Sequence, residues 1–184
     1  MMKKLVALFL SAAAVLSVTA CGGGAGDSQA DQGTKQEAPS FDSTEDVINA
    51  IYEKKPVDLE IVTVPVDLTD EYSLLSYTGL APDDADKLVE ATASEPMMGQ
   101  ACSIVVAETT NASETADIAQ KMADGIDQRK WICVEADTLR VVTCDKYILL
   151  VMISSEFSDT VTVDEIVSAF TDVCGFTDGE YFKQ

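Results

Sequence analysis

The chain has 184 residues, of which 12 are basic, 32 acidic and none histidine, giving a net charge of −20. A surface of that sign repels nucleic acid and anionic headgroups, so no nucleic-acid partner is expected. Without histidine there is no Ser-His-Asp or Cys-His arrangement and no commonest metal ligand, so no metal or cofactor is expected, and an enzyme would have to use carboxylate or Lys/Ser chemistry.

Met1-Met2-Lys3-Lys4 is a positively charged start, followed by residues 5–20, which are apolar except for Ser11, Ser17 and Thr19. These 16 residues fall short of the roughly 20 that a spanning helix needs. Gly22-Gly23-Gly24 follows in place of a charged anchor, so residues 1–20 read as an export signal. Leu16-Ser17-Val18-Thr19-Ala20-Cys21 resembles the lipobox of bacterial lipoproteins. The resemblance implies cleavage before Cys21 and diacylation of its thiol, which would tie the chain by a diacylglycerol to the outer, extracytoplasmic face of the cell membrane. Each buried methylene contributes about 0.8 kcal/mol, and two chains anchor stably where one holds marginally. Loss of Lys3 and Lys4 with the signal leaves 10 basic against 32 acidic residues, or −22, so the domain is expected to stand away from the membrane.

Residues 22–40 contain no aromatic and no aliphatic larger than alanine, so residues 21–40 read as a lipidated, disordered tether. Its 19 residues beyond Cys21 reach roughly 20–25 Å as a flexible coil. Residues 41–184 suit a single domain.

Within that domain, Ser43-x-x-Asp46 reads as a capping box opening a helix that Pro56 stops. Residues 59–64 form a short strand that Pro65 confines to a sheet edge. A short helix over 70–77 ends at Gly79. Residues 82–94 admit two readings, helix from Pro82 or strand over 87–92. Residues 102–108 read as a strand and 113–130 as the longest helix, with Asp117 and Lys121 as a supporting pair. Residues 138–144 and 147–153 form a hairpin turning at Asp145-Lys146. The second strand, YILLVMI, is so apolar that both its faces should be covered. A last helix opens at Thr162-x-x-Glu165 and closes at Gly175. The expected fold is α+β: a mainly antiparallel sheet of three or four strands with helices on one face, ββαββα-like, preceded by an N-terminal helix.

Several residues could bear function. Met97-Met98 either line an apolar binding surface or plug the core edge, with the core favoured; Trp131 reads as a core-edge aromatic or a binding residue. Asp83, Asp84 and Asp86 lack calcium-loop spacing and read as a solvated first turn. Cys102, Cys133, Cys144 and Cys174, separated by 31, 11 and 30 residues, do not match a zinc site and are either buried thiols or disulfides. Chain direction alone brings Cys102 and Cys133 to one end of the sheet and Cys144 and Cys174 to the other, favouring those two pairings.

Leu68-Thr69-Asp70-Glu71, the run from Tyr77 to Ala85, the block 102–131 and the hairpin end Asp145 to Val151 together resemble an uncharacterised family of lipoproteins, domain of unknown function 4358. The resemblance implies an exported lipoprotein and no known chemistry. The reading favoured is therefore a non-enzymatic binding or accessory module of the cell envelope with an unidentified protein or ligand partner. Its rivals are an envelope enzyme and a subunit of a transport or secretion assembly.

Overall fold

The computed structural model describes residues 38–184 except Met98. The export signal, Cys21 and the tether up to residue 37 lie outside the described residues. No helix among the described residues is long and apolar enough to cross a membrane.

Local chemistry sets most element ends. Helix α1 (Thr44–Lys54) starts where Ser43 Oγ accepts the Asp46 N–H at 3.1 Å, and it buries Val47, Ile48 and Ile51. Strand β1 (Ile61–Pro65) follows, then α2 (Glu71–Thr78), capped by Asp70 and ended by Gly79 at φ 76°. The segment with two readings becomes a 3-10 turn at Pro82–Lys87 and then strand β2 (Leu88–Pro96). Asp84 in that turn is held by Lys121 at 2.7 Å, and Lys121 also meets Asp117 at 3.0 Å. Strand β3 (Cys102–Thr109) and helix α3 (Thr115–Gly125) lead to β4 (Thr138–Cys144) and β5 (Tyr147–Ile153). Asp145, at φ 54°, and Lys146 form their two-residue turn. Helix α4 (Val163–Cys174) carries the full capping box of Thr162 and Glu165 and ends at Gly175. A three-residue strand, β6 (Gly179–Tyr181), closes the order.

The result is an α+β fold with one open, wholly antiparallel sheet of six strands in the order β1-β2-β3-β5-β4-β6. That corrects the expected three or four strands. β6 was missed because three residues carry no readable period, while β1 lies at the edge where Pro65 placed it.

The helices also occupy both faces of the sheet, not one. On the first face, α3 packs Ile118 and Met122, with Ile126 just past its end, against Val105, Ile148 and Leu150, with Leu74 of α2 in the same core. On the second, Ile48 and Ile51 of α1 and Ile166 and Phe170 of α4 pack against Ile104, Leu149 and Val151. Topology requires this. The crossover through α3 steps from β3 over β5 to β4, and the one through α4 steps from β5 over β4 to β6. Both steps run the same way across the sheet, but β3 and β5 are antiparallel. Crossovers of one hand must then place their helices on opposite faces. The apolar run of β5, buried throughout, had already pointed to two covering layers.

The long helix is shorter than expected, ending at Gly125 rather than near residue 130. There it meets the end of α2. A Cβ on Gly125 would overlap the Gly79 carbonyl oxygen, and one on Gly79 would sit 2.7 Å from the Gly125 carbonyl carbon and overlap the Ile126 nitrogen. Ile126 leaves the helix in extended conformation and is fully buried.

Candidate functional site

Alternation along β2 sends Ala91 and Ala93 into the α3-side core, and the next residue in that phase is Glu95. Ser103 on β3 occupies the same face and donates its hydroxyl to Glu95 Oε1 at 2.6 Å. Beyond α3 the chain doubles back and delivers Lys130 to the same carboxylate. Lys130 Nζ also donates to the Ser76 carbonyl at 3.0 Å and lies 4.9 Å from the centre of the Tyr77 ring and 5.2 Å from that of Trp131. The lysine side chain is only 10% exposed and the glutamate 19%. Burial holds the Lys130 pKa below the ordinary lysine range, opposed by the attraction of Glu95. Burial raises the Tyr77 pKa, with Glu95 and Tyr72 adding to it.

The cluster works as a clamp. Ser103 donates its hydroxyl hydrogen bond to Glu95 and is fully buried, and that burial leaves its oxygen no accessible nucleophile. What the clamp does is tie three segments that carry exposed apolar side chains. Met97, two residues past Glu95, is 68% exposed. Tyr72 on α2, one turn before Ser76, is 80% exposed, with Leu75 beside it also exposed. Ile132, two residues past Lys130, is 92% exposed and sits at φ 69°. A β-branched residue in the left-handed region is strained, by about 1–2 kcal/mol.

Met97 therefore belongs to the surface and not to the core, the reverse of the reading favoured above. Met98 lies outside the described residues. Trp131 is partly buried against the α3-side core, with the Lys130 ammonium over its ring. No spacing in the chain marks the Glu95–Lys130 pair. The signal that could have found it was the phase of β2, since a strand through Ala91 and Ala93 points residue 95 inward.

All four domain cysteines are free thiols in the structure. Cys144 and Cys174 meet on the α1–α4 side, where Cys144 Sγ donates to the Cys174 carbonyl at 3.9 Å. The side-chain contact with Cys144 and burial push the Cys174 thiol pKa well up. Cys102 is buried on that same side, with its pKa raised to about 12 by burial and then by Glu95. Cys133 is exposed, between Trp131 and Val134, which pack on the other side. Cys102 thus faces the α1–α4 side while the segment carrying Cys133 packs on the α3 side, so of the two favoured pairs it is Cys144 and Cys174 that the structure places in contact.

Elsewhere, Tyr52 on α1 donates to Ser94 Oγ at 2.7 Å, its own pKa raised to about 12 by burial. Ser94 Oγ also meets Thr63 Oγ1 of β1 at 3.0 Å. Among the described residues no group of acidic or cysteine side chains is arranged to hold a metal ion. Compared with protein-family models, curated proteins and solved structures, the chain has no match, and its function is read from this geometry.

Proposed function

We propose that the chain is a lipid-anchored, extracytoplasmic lipoprotein, a non-enzymatic binding or accessory module of the cell envelope, and that Tyr72, Leu75, Met97 and Ile132 form the surface that meets its partner. The lipobox at Leu16 to Cys21 and the motif order between Leu68 and Val151 support the address. The observation that carries the binding surface is Ile132, an exposed isoleucine held in a strained backbone conformation beside a buried ion pair. Strain of this kind marks functional positions, and nothing within the isolated domain is gained by presenting that side chain to water. The acidic surface matches a protein partner with a basic rim around an apolar patch.

The test uses the full chain in its own membrane. A photoreactive phenylalanine analogue at position 132 is expected to give one defined adduct that the same analogue at Asp172, exposed on α4, does not. Excess soluble domain should compete the adduct away, and domain carrying Ile132→Asp and Leu75→Asp should not. Equal adduct ladders from both positions overturn the surface. Cys21→Ala is expected to abolish acylation, leaving the protein either released or retained with its signal uncut. An unacylated mature N-terminus at another residue, found by mass spectrometry of the unaltered protein, overturns the anchor.

Export also allows the Cys144–Cys174 thiols to close. In exchange with oxidised glutathione, the two thiols would give one protein disulfide and two molecules of glutathione. Because both are buried, closure is expected during refolding and not in the folded domain. The bridge would contribute about 3–4 kcal/mol by restricting the unfolded chain. Peptide mapping after refolding checks it: Cys144 joined to Cys174 and Cys133 open to alkylation is the expected result, and any other pairing refutes it.

A further inference from the structure

The outer edge of β1 is an open ladder. Met97 N–H donates to the Glu60 carbonyl at 3.1 Å and Val66 N–H to the Ala91 carbonyl at 2.8 Å. In an antiparallel pair such bonding alternates, so residues 60, 62, 64 and 66 turn their backbone groups to β2. Ile61 and Thr63 then turn N–H and C=O outward, and Pro65 its C=O. Among the described residues none of these groups has a backbone partner beyond the sheet. Directly beside them, on the α1 side, lies a cavity of about 350 Å³ lined by Tyr52, Pro56, Val57, Leu59, Ile61 and Thr63. On the opposite face Val62, paired in register with Glu95, is 42% exposed and continues the apolar surface that carries Met97.

We propose that the partner docks by adding an extended strand to β1, with alternate apolar side chains entering the Tyr52–Leu59 cavity and basic residues at its ends. This deepens the reading of the Ile132 surface and rests on it for the identity of the partner as a protein. Only an extended backbone matches free N–H and C=O groups at every second residue, and side chains of alternate residues would reach the cavity. Charge selects the occupant. Asp58 and Glu60 precede the strand and Asp67 and Asp70 follow it, all exposed and none in an ion pair among the described residues. A second copy of this chain pairing antiparallel through β1 would set these carboxylates against their counterparts. It would also place Pro65, with no N–H to give, opposite Ile61. A basic-flanked strand from another protein avoids the charge clash and meets the missing N–H of Pro65 once, where a second copy meets it twice.

The experiment uses the soluble domain and a synthetic probe, acetyl-Lys-Val-Thr-Val-Thr-Val-Lys-amide, with a second probe in which glutamate replaces both lysines. Expected are protection of the Ile61 and Thr63 amides from hydrogen exchange by the lysine probe and a dissociation constant about tenfold lower than for the glutamate probe. Thr63→Pro removes an outward N–H without touching the β1–β2 ladder, so the fold should survive, as circular dichroism and the melting temperature will report, while binding is lost. N-methylation of alternate probe residues should have the same effect. Unchanged exchange at Ile61 and Thr63 under saturating probe, or full binding by folded Thr63→Pro, overturns the proposal. Concentration-dependent protection of these amides in the domain alone overturns the choice of occupant in favour of a second copy. Strand binding retained in Ile132→Asp, with no specific adduct at position 132, separates failure of the Ile132 surface from failure of this one.

Discussion

Gly125→Ala is expected to destabilise the domain by about 3 kcal/mol, although alanine in a helix ordinarily gains about 1 kcal/mol over glycine. The inversion comes from one contact. Gly125 ends α3 against the carbonyl of Gly79, and the added methyl would overlap that oxygen, which belongs to backbone and cannot rotate away. Gly79→Ala should cost at least as much, because its methyl meets the Gly125–Ile126 peptide and its φ of 76° adds about 1–2 kcal/mol for a side chain in the left-handed region. Urea denaturation checks both. Since the two methyls would force apart the same pair of backbones, the double variant should lose clearly less than the sum of the single losses. A Gly125→Ala variant more stable than the parent would show that the two helix ends part without cost.

Glu95→Ala should cost about 3–5 kcal/mol, because it strands the Lys130 ammonium in a place where water barely reaches and leaves the Ser103 hydroxyl without its acceptor. Replacing both partners by apolar residues, Glu95→Leu with Lys130→Met, should recover most of that loss, since no buried charge is left alone. The lysine also imposes a pH dependence. Its folded pKa lies below that of the unfolded chain, so the folded state releases the proton first as pH rises. The contribution of Lys130 is therefore fully present only above the unfolded value near 10.4, and is lost as pH falls through the lower folded value. As pH rises through that lower folded value towards the unfolded value near 10.4, the parent should gain stability relative to Lys130→Met. A difference that stays flat, or moves the other way, would show that Lys130 is not held in a desolvated site.

Element ends were legible because they are local. Ser43, Asp70 and the Thr162–Glu165 box start helices, Gly79 and Gly175 stop them, and each does so through groups within a few residues. The hairpin at Asp145-Lys146 and the doubly covered β5 follow from equally local signals. The end of α3 was not legible, because Gly125 is explained by a neighbour 46 positions earlier in the chain, Gly79, and not by its own helix. The number of helix faces required the strand order, which no periodicity carries. The site was half legible: Met97 and Trp131 were singled out, while of the pair that organises them Glu95 drew no functional reading and Lys130 read only as a helix end. Charge pairs between distant segments leave no trace in the spacing of either one.

The position of β5 has a consequence for how the molecule assembles. Its seven residues, YILLVMI, carry no charge and no proline, and pair with β4 on one side and β3 on the other. The β4 side closes across a two-residue turn, a step of microseconds. The β3 side must wait until the chain through α3 has folded over, and loop closure of that length is slow. In the interval the most apolar strand of the protein has one bare edge and two bare faces, and only Asp145 and Lys146 stand guard at its entrance. Refolding of this domain is thus a race between an intramolecular closure, indifferent to concentration, and an encounter between chains that quickens with it.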